Sequence, residues 1–427
     1  MKRKLMCLVL AAMMLVCTGC LNPSALDQYS YVMSIGVDMG KQMRFNVTFL
    51  VQKEDESAEG KTSGGAIYLT AEGDTLLEAL ETCHKGVPTT LSFSRINSIN
   101  FSSEVAEAGL IEEFVSFSLD SLSMRQSVRL LITQGKAEDF LKGMTMGGKE
   151  NIAKIQMSLK SFYEMSGIFS LTNFALLIEA IDSRRLDVTL SLCGVDESVQ
   201  PPQQQSGNSQ GTGDGSGYDA GTGGGGTNQN AAQGGASGAE DKKDTTAGVF
   251  RSGGMKAYVS GSALFDGWKM VGTLNAPDTQ LMLIARGEFK QGKITFKGIG
   301  DGILEGRFEL IESPKIKTNT QDGLFAEFDI SLRCSIITDT AEVTRSMSGE
   351  AIEQAMAAQL EEGLERVFLG CRSLNSDAFH LGRVFSKNFI LISEWESFDW
   401  KSRYKDVNAS FNVKVKLDGR YSPGLWE

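Results

Sequence analysis

SGEAIEQAMAAQLEEGLERVFLGC (residues 348–371) and, further on, FNVKVKL (411–417) are the two stretches that decide the fold class. In the first, Ile352, Met356, Leu360, Leu364, Val367 and Cys371 recur every three or four residues, the period of one face of an α-helix. Ser348 stands where a helix cap belongs, and about twenty residues rising 1.5 Å each make roughly 30 Å of helix. In the second, Phe411, Val413, Val415 and Leu417 alternate with Asn412, Lys414 and Lys416, which predicts a half-buried strand. A long helix laid on an antiparallel sheet is therefore expected as the last domain.

Working outward, 255–265, 292–299 and 325–337 read as strands, the first two separated by a stretch holding the turn-prone Asn275, Pro277 and Asp278. Nearer the start, Phe45, Val47, Phe49 and Val51 alternate with polar neighbours as a strand. Asp74 is placed to cap a helix whose Leu76, Leu77, Leu80 and Cys83 share a face. A second helix is expected after Ser102, with Leu110, Ile111, Phe114 and Val115 at helical spacing, and Val128 to Thr133 reads as a buried strand. The fold class is α+β and multi-domain, with mixed and antiparallel sheets and packed helices.

Between Gln200 and Gly248 the composition turns to Gly, Ser, Gln, Asn and Thr, as in PPQQQSGNSQGTGDGSG and GTGGGGTNQN, with almost nothing to bury. As a Gly-rich coil it would span on the order of 40 Å, enough for two folded bodies to move independently. The expected division is a leader at 1–19, an N-terminal α+β domain at 20–199, a flexible linker at 200–248, a small β-rich middle domain at 249–312 and a C-terminal α+β domain at 313–427.

The leader has three parts: Lys2, Arg3 and Lys4, then an apolar run from Leu5 to Val16, then Thr18, Gly19 and Cys20. That layout is a secretory signal, and its apolar run is too short for a permanent membrane span. Small residues before Cys20 place the cut of a lipoprotein signal peptidase there, although Cys17 stands where an aliphatic residue is usual. Each buried methylene contributes about 0.8 kcal/mol, so two or more acyl chains on Cys20 would hold the protein firmly to a membrane. Losing Lys2, Arg3 and Lys4 takes the formal charge from −11 to −14. An acidic body repels nucleic acid and anionic headgroups, which leaves the lipid as the membrane attachment.

The search for chemistry is mostly negative. Cys83, Cys193, Cys334 and Cys371 show no CxxC spacing, so they read as small buried residues, with one disulfide left open. His84 and His380 lack a ligand partner at short interval and read as helix or loop histidines. Gly207 to Gly211 formally matches a nucleophile elbow but sits in the Gly/Ser stretch, where no strained strand-to-helix turn forms. Gly143 to Lys149 resembles a phosphate loop, yet Glu150 replaces the hydroxyl that would meet magnesium, and a helical stretch, Ala137 to Lys142, precedes it instead of a strand. The many Asp and Glu residues are ordinary for a solvated surface. Trp395, Trp400 and Trp426 could line a sugar or amino-acid pocket, but core or interface packing is the commoner use. No cofactor or metal is expected, and the body reads as a non-enzymatic module.

Several segments, taken in order, resemble the C-subunit family of spore germinant receptors, the Ger(x)C lipoproteins. LDQYSYVMSIGVDMG (26–40) is similar to the family's opening strand, with Ile35, Gly36, Val37 and Asp38 at its most recognisable positions. LSFSRINSINFSSEVAEAGL (91–110) follows, and then SMRQSVRLLITQGKAEDFL (123–141), where Arg125, Gly135, Lys136 and Ala137 match. SGSALFDGWKMVGTLNAPDTQ (260–280) and WKSRYKDVNASFNVKVKLDG (400–419) complete the series. The chain departs from the resemblance at Leu21 and Asn22, where members usually carry Trp and Asp, and in its Gly-rich insert. The resemblance implies a three-domain α+β lipoprotein on the outer face of the inner spore membrane. There it would join an A-type subunit and a polytopic B-type subunit in a complex that senses nutrients and triggers germination. It carries over no catalytic residue, so Cys20, as the lipidation site, is the one candidate site position. Two readings compete with it. A solute-binding lipoprotein of a nutrient transporter would need two similar α/β lobes about a hinge, and an envelope hydrolase would need a carboxylate pair in a cleft.

Overall fold

A computed structural model describes residues 29–53, 65–121, 124–144, 161–183, 185–196, 256–300, 302–320, 323–340 and 342–418. The leader, Cys20, the Gly-rich stretch at 200–248, the nucleophile-elbow match and Trp426 lie outside the described residues, as does most of the phosphate-loop match.

The first sheet holds β1 (Tyr29–Met39), β2 (Phe45–Lys53), β3 (Gly65–Gly73), β4 (Thr90–Ser92), β5 (Ser98–Ser102), β6 (Arg129–Thr133), β7 (Thr189–Val195), β8 (Ala257–Asp266) and β9 (Lys269–Leu274). Its order is β3-β2-β1-β5-β6-β7-β8-β9, with β4 beside the start of β1. The centre, β1-β5-β6-β7, is parallel, and both flanks are antiparallel. Central parallel strands are covered on both faces, so they read as apolar runs without alternation; β5 and β6 are almost wholly buried. One face carries α1 (Leu76–His84), α2 (Ser103–Glu107), α3 (Ile111–Ser121) and α5 (Phe174–Ser183); α4 (Ala137–Gly143) packs on the other.

Local signals explain the helix starts. Ser102 accepts from the Val105 amide at 3.4 Å and caps α2 as expected. The cap of α1 is Thr75 and not Asp74, because the Thr75 hydroxyl accepts from the Glu78 amide at 3.2 Å. The buried face is Leu76, Ala79, Leu80 and Cys83, three and four residues apart, while Leu77, next to Leu76 and so about 100° around the helix from it, points to solvent at 46 % exposure.

The second sheet holds β10 (Gln291–Lys297), β11 (Ile303–Leu310), β12 (Lys315–Asn319), β13 (Phe325–Asp339) and β14 (Asn408–Leu417). β11 and β12 lie end to end along β13 and antiparallel to it, through Leu310↔Leu332 and Lys315↔Asp329. β14 runs parallel on the far side, since the chain crosses back over α8 (Gly349–Ser373), which follows the short α7 (Val343–Ser346). Ser348 caps α8, and Ile352, Met356, Leu360, Leu364, Val367 and Cys371 are all buried, as their spacing predicts. Glu353 and Glu361 of α8 accept the Leu417 and Val413 amides of β14, each at 2.8 Å. Eight helical residues rise about 12 Å and four strand residues about 13 Å, so the two carboxylates match the two amides. They occupy backbone donors that an edge strand would otherwise offer to another chain.

The segment 249–312, expected as a middle domain, has no sheet of its own among the described residues. β8 and β9 complete the first sheet, and β10 and β11 begin the second. Val195 of β7 pairs with Ala257 of β8, and the Asp196 amide donates to the Lys256 carbonyl at 2.9 Å. The described residues on either side of it are thus held side by side by strand hydrogen bonds, with β7 and β8 neighbours in one sheet.

Between the sheets lies α6 (Ala276–Arg286), in the stretch whose Asn275, Pro277 and Asp278 suggested only a turn. Asn275 caps it by accepting the Asp278 amide at 2.9 Å, and Pro277 sits in the first turn, where its missing N–H costs nothing. From Thr279 to Ala285 every residue is buried, as befits a helix apolar on all sides. One core accordingly runs from Met33, Leu50 and Leu131 of the first sheet through Met282 and Ile284 to Phe328 and Val415 of the second. The last helices, α9 (Leu381–Phe385), α10 (Ile392–Phe398) and α11 (Trp400–Arg403), fill the crossover before β14. The two sheets differ in strand order and direction, so the molecule is not the pair of similar lobes that a hinged solute-binding protein requires.

Candidate functional site

Two places hold the buried carboxylates of the described residues, Asp38 in one and Asp187 and Asp377 in the other. The first is a corner where β1 meets α4. A Cβ on Gly36 would stand 3.0 Å from the Leu141 side chain and 3.3 Å from the Ala137 backbone, so a glycine there lets the helix lie close to the strand. Two residues on, Asp38 reaches over and accepts the first-turn amides of Ala137 and Glu138 at 2.7 and 3.0 Å. Gly135 makes the preceding turn at φ +91°, and Ala137 is fully buried. Gly36, Asp38, Gly135 and Ala137, all singled out in the sequence, therefore form one structural joint. Burial pushes the Asp38 carboxyl up, and the two amides that it accepts pull it back.

The second place is a junction between the sheets that sequence reasoning did not find. Asp187, just before β7, is 6 % exposed and accepts three groups: the Gly267 amide at 3.1 Å, the Asp377 amide at 2.8 Å and the Lys401 ammonium. Lys401 also meets Asp266 at 2.8 Å and the Asn375 carbonyl at 3.0 Å. Asp377 closes the turn into α9, with the Leu381 and Gly382 amides each at 2.8 Å, and holds the Trp400 indole N–H at 3.0 Å. Trp400 stacks within a run of rings formed by Phe385, Trp395, Phe398 and Tyr404. A buried charge network of this kind is stable only while each member keeps its partners. It ties the end of β8 and the start of β7 to the crossover of the second sheet.

Burial raises the Asp377 carboxyl to about 7, and the Asp187 charge adds to the rise, while the Gly382, Leu381 and Trp400 donors oppose it. His380, held at φ +58°, is pushed well below 6.5 by burial and then by the Arg286 and Arg383 charges. Its signs and those of Asp377 are opposite. The folded value of Asp377 lies above the unfolded 3.8, so its contribution is complete below pH 3.8 and is lost as the pH climbs to about 7. The depressed His380 contributes fully above 6.5 and loses that as the pH falls. Each slope is at most about 1.4 kcal/mol per pH unit, and below pH 6.5 they oppose one another wherever both groups act. Calorimetric melting at stepped pH is expected to show Asp377→Asn losing stability on acidification faster than the parent. His380→Gln should instead lose it as the pH rises from about 5 to 7. Parallel profiles for all three proteins would contradict this assignment.

The other sequence candidates have structural positions. His84 accepts the Leu91 amide at 3.1 Å in the last turn of α1. The four cysteines are buried free thiols, Cys83 pushed up to about 11 and Cys193, Cys334 and Cys371 to about 12 by burial, which keeps them protonated. Trp395 and Trp400 pack in the core, and Trp268 lies against the helix-covered face of the first sheet. Among the described residues no group of three His, Cys, Asp or Glu side chains is placed to hold a metal ion. None of the described helices is long and apolar enough to cross a membrane. Cys20 lies outside them.

Comparison with known proteins finds matches in both halves of the chain. Residues 22–195 match the family described as the spore germination protein N-terminal domain, and residues 260–420 match the family described as spore germination B3/GerAC like, C-terminal. A relative from Bacillus cereus, the spore germination protein GerQC, is 21 % identical over 422 residues, covering 98 % of both chains. The crystal structure of the GerBC protein aligns with a TM-score of 0.48 at 12 % identity, covering 90 % of this chain and 96 % of that one. The chain belongs to the GerAC-like family of spore germination proteins, the C-subunit family of germinant receptors.

Proposed function

We propose that this chain is the lipid-anchored subunit of a nutrient germinant receptor. It is held by acylated Cys20 on the outer face of the inner spore membrane, where it assembles with an A-type and a polytopic B-type membrane subunit. The observation that carries this reading is the match to both halves of the family in chain order, opening two residues after Cys20. With an acidic body and no membrane-spanning helix among the described residues, the acyl chains supply the attachment. The shared core and the Asp187–Lys401–Asp377 junction join the two sheets firmly, so a displacement imposed on one by a partner reaches the other. Its role is thus assembly and transmission of the signal.

Replacing Cys20 with Ala in a spore-forming host tests the reading. The protein is expected to leave the membrane fraction, and nutrient-triggered germination to slow by on the order of tenfold or more, since none of the described helices could take over from the acyl chains as an anchor. A variant that stays on the membrane in spores that germinate normally would overturn it.

A further inference from the structure

Ile390, Leu391 and Ile392 form the turn into α10, and their side chains are 94, 57 and 69 % exposed. Among the described residues every other exposed large apolar side chain stands alone in sequence, as is ordinary for a protein surface. The turn is held in place. The Glu394 carboxylate accepts the Ile390 and Leu391 amides at 3.2 and 3.1 Å, so the backbone is satisfied while the side chains remain in the open. Behind this tip lie the half-buried rings of Phe389 and Phe398, their centres 4.9 Å apart, and Phe398 stacks on the buried Trp400. From Lys387 to Arg403 the chain carries three cationic and three acidic side chains, so charge selects no partner here. What the tip offers is apolar surface.

We propose that this tip enters the lipid surface beside the acyl chains and fixes the orientation of the body on the membrane. The inference rests on the reading of Cys20 as acylated and goes beyond it, because a tether by itself leaves the body free to tumble. Position carries the argument. Cys20 precedes Tyr29, the start of β1, by nine residues, at most about 32 Å of extended chain, so the start of β1 stays close to the bilayer. Strands β1, β5, β6 and β7 are parallel and begin at one end of the first sheet, and Asp187 lies two residues before β7 at that same end. From Asp187, contacts lead through Asp377, Trp400, Phe398 and Phe389 to Ile390. The tether and the junction that supports the tip thus share one end of the sheet. Strand β1 carries the chain about 33 Å away from that end, to the turn at Lys41. Aliphatic groups foremost with aromatic rings behind them is also the order in which a bilayer takes side chains, hydrocarbon first and then the interface. Three aliphatic side chains hold far less than two acyl chains do, so the tip orients a protein that the lipid retains.

The test uses the acylated full chain in phosphatidylcholine vesicles, with an environment-sensitive fluorophore on Leu391→Cys or, as a control, on Lys41→Cys. Both positions are exposed, whereas the thiols of Cys83, Cys193, Cys334 and Cys371 are buried. The Leu391 probe is expected to shift to the blue and to be quenched by lipids brominated on their acyl chains, equally at low and high salt. The Lys41 probe should remain open to aqueous iodide. Ile390→Ser, Leu391→Ser and Ile392→Ser combined alter exposed side chains only, so the melting temperature should hold. Transfer of that acylated variant between vesicles should quicken at least about tenfold, the effect of losing one buried aliphatic group. Flotation and the mass of the mature N-terminus score the anchor separately: a protein that floats while its Leu391 probe stays in water sinks this inference and leaves the anchor standing. The proposal is equally overturned if both probes are quenched alike by brominated lipid. It also fails if the Leu391 probe is shielded only once the A-type and B-type subunits are added, with brominated lipid inert, since that marks a protein contact.

Discussion

Replacing Asp187 with Ala is expected to destabilise the folded chain by about 3–5 kcal/mol, the range for breaking a buried, hydrogen-bonded charge network by removing one member. The size follows from what the carboxylate leaves behind. The Gly267 and Asp377 amides lose an acceptor in a place that water does not readily reach, and each such loss costs about 1–3 kcal/mol. Lys401, 38 % exposed, keeps Asp266 and the Asn375 carbonyl and so adds less. Lys401→Ala should accordingly cost well under half as much, within the range of a partly exposed pair. Urea unfolding of the two single variants and the double variant measures this. A coupling energy near zero, or an Asp187→Ala protein as stable as its parent, would remove the junction as a clamp between the sheets.

The second large effect is expected at Gly382. A Cβ there would lie 2.2 Å from the Arg185 carbonyl oxygen and 2.6 Å from the Trp400 indole nitrogen. Neither neighbour can yield cheaply, since the first is backbone leading into Asp187 and the second is held by Asp377 and by stacked rings. Gly382→Ala is expected to cost about 3 kcal/mol or more, the upper end of overpacking, and to alter Trp400 fluorescence because the indole must move. Gly370 supplies the contrast: it sits in the last turns of α8, and a Cβ added there would meet nothing within 4 Å, so Gly370→Ala should stabilise by about 0.5–1 kcal/mol. Equal melting temperatures for the two variants would contradict both arguments.

Helix α8 and strand β14 were legible because each buries one face, and the burial leaves its own period in the sequence. Ser102 and Ser348 were legible because a cap is a contact between neighbours along the chain. Helix α6 was not, for two reasons. Asn and Pro serve both a turn and a helix start, and a helix buried on every side has no polar face to mark its period. The middle segment misled similarly: 255–265 and 292–299 were recognisable as strands, which are β8 and β10, but β9 and β11 were not, and no residue in any of them states which sheet will take it. The junction at Asp187 was invisible for the same reason, since its members come from distant segments of the chain.

By itself, the sequence determined the α+β class, the order of the most periodic elements, the family and the expectation of a lipid on Cys20, because periodicity, caps and leader signals are properties of neighbouring residues. Tertiary structure alone decided that β7 and β8 pair directly, that β14 runs parallel to β13, and that the two sheets share one core. It also decided that Asp187 meets Lys401 across more than two hundred residues of chain. Strand pairing and buried charge networks depend on which distant surfaces exclude water together, and that is settled only when the whole chain has packed.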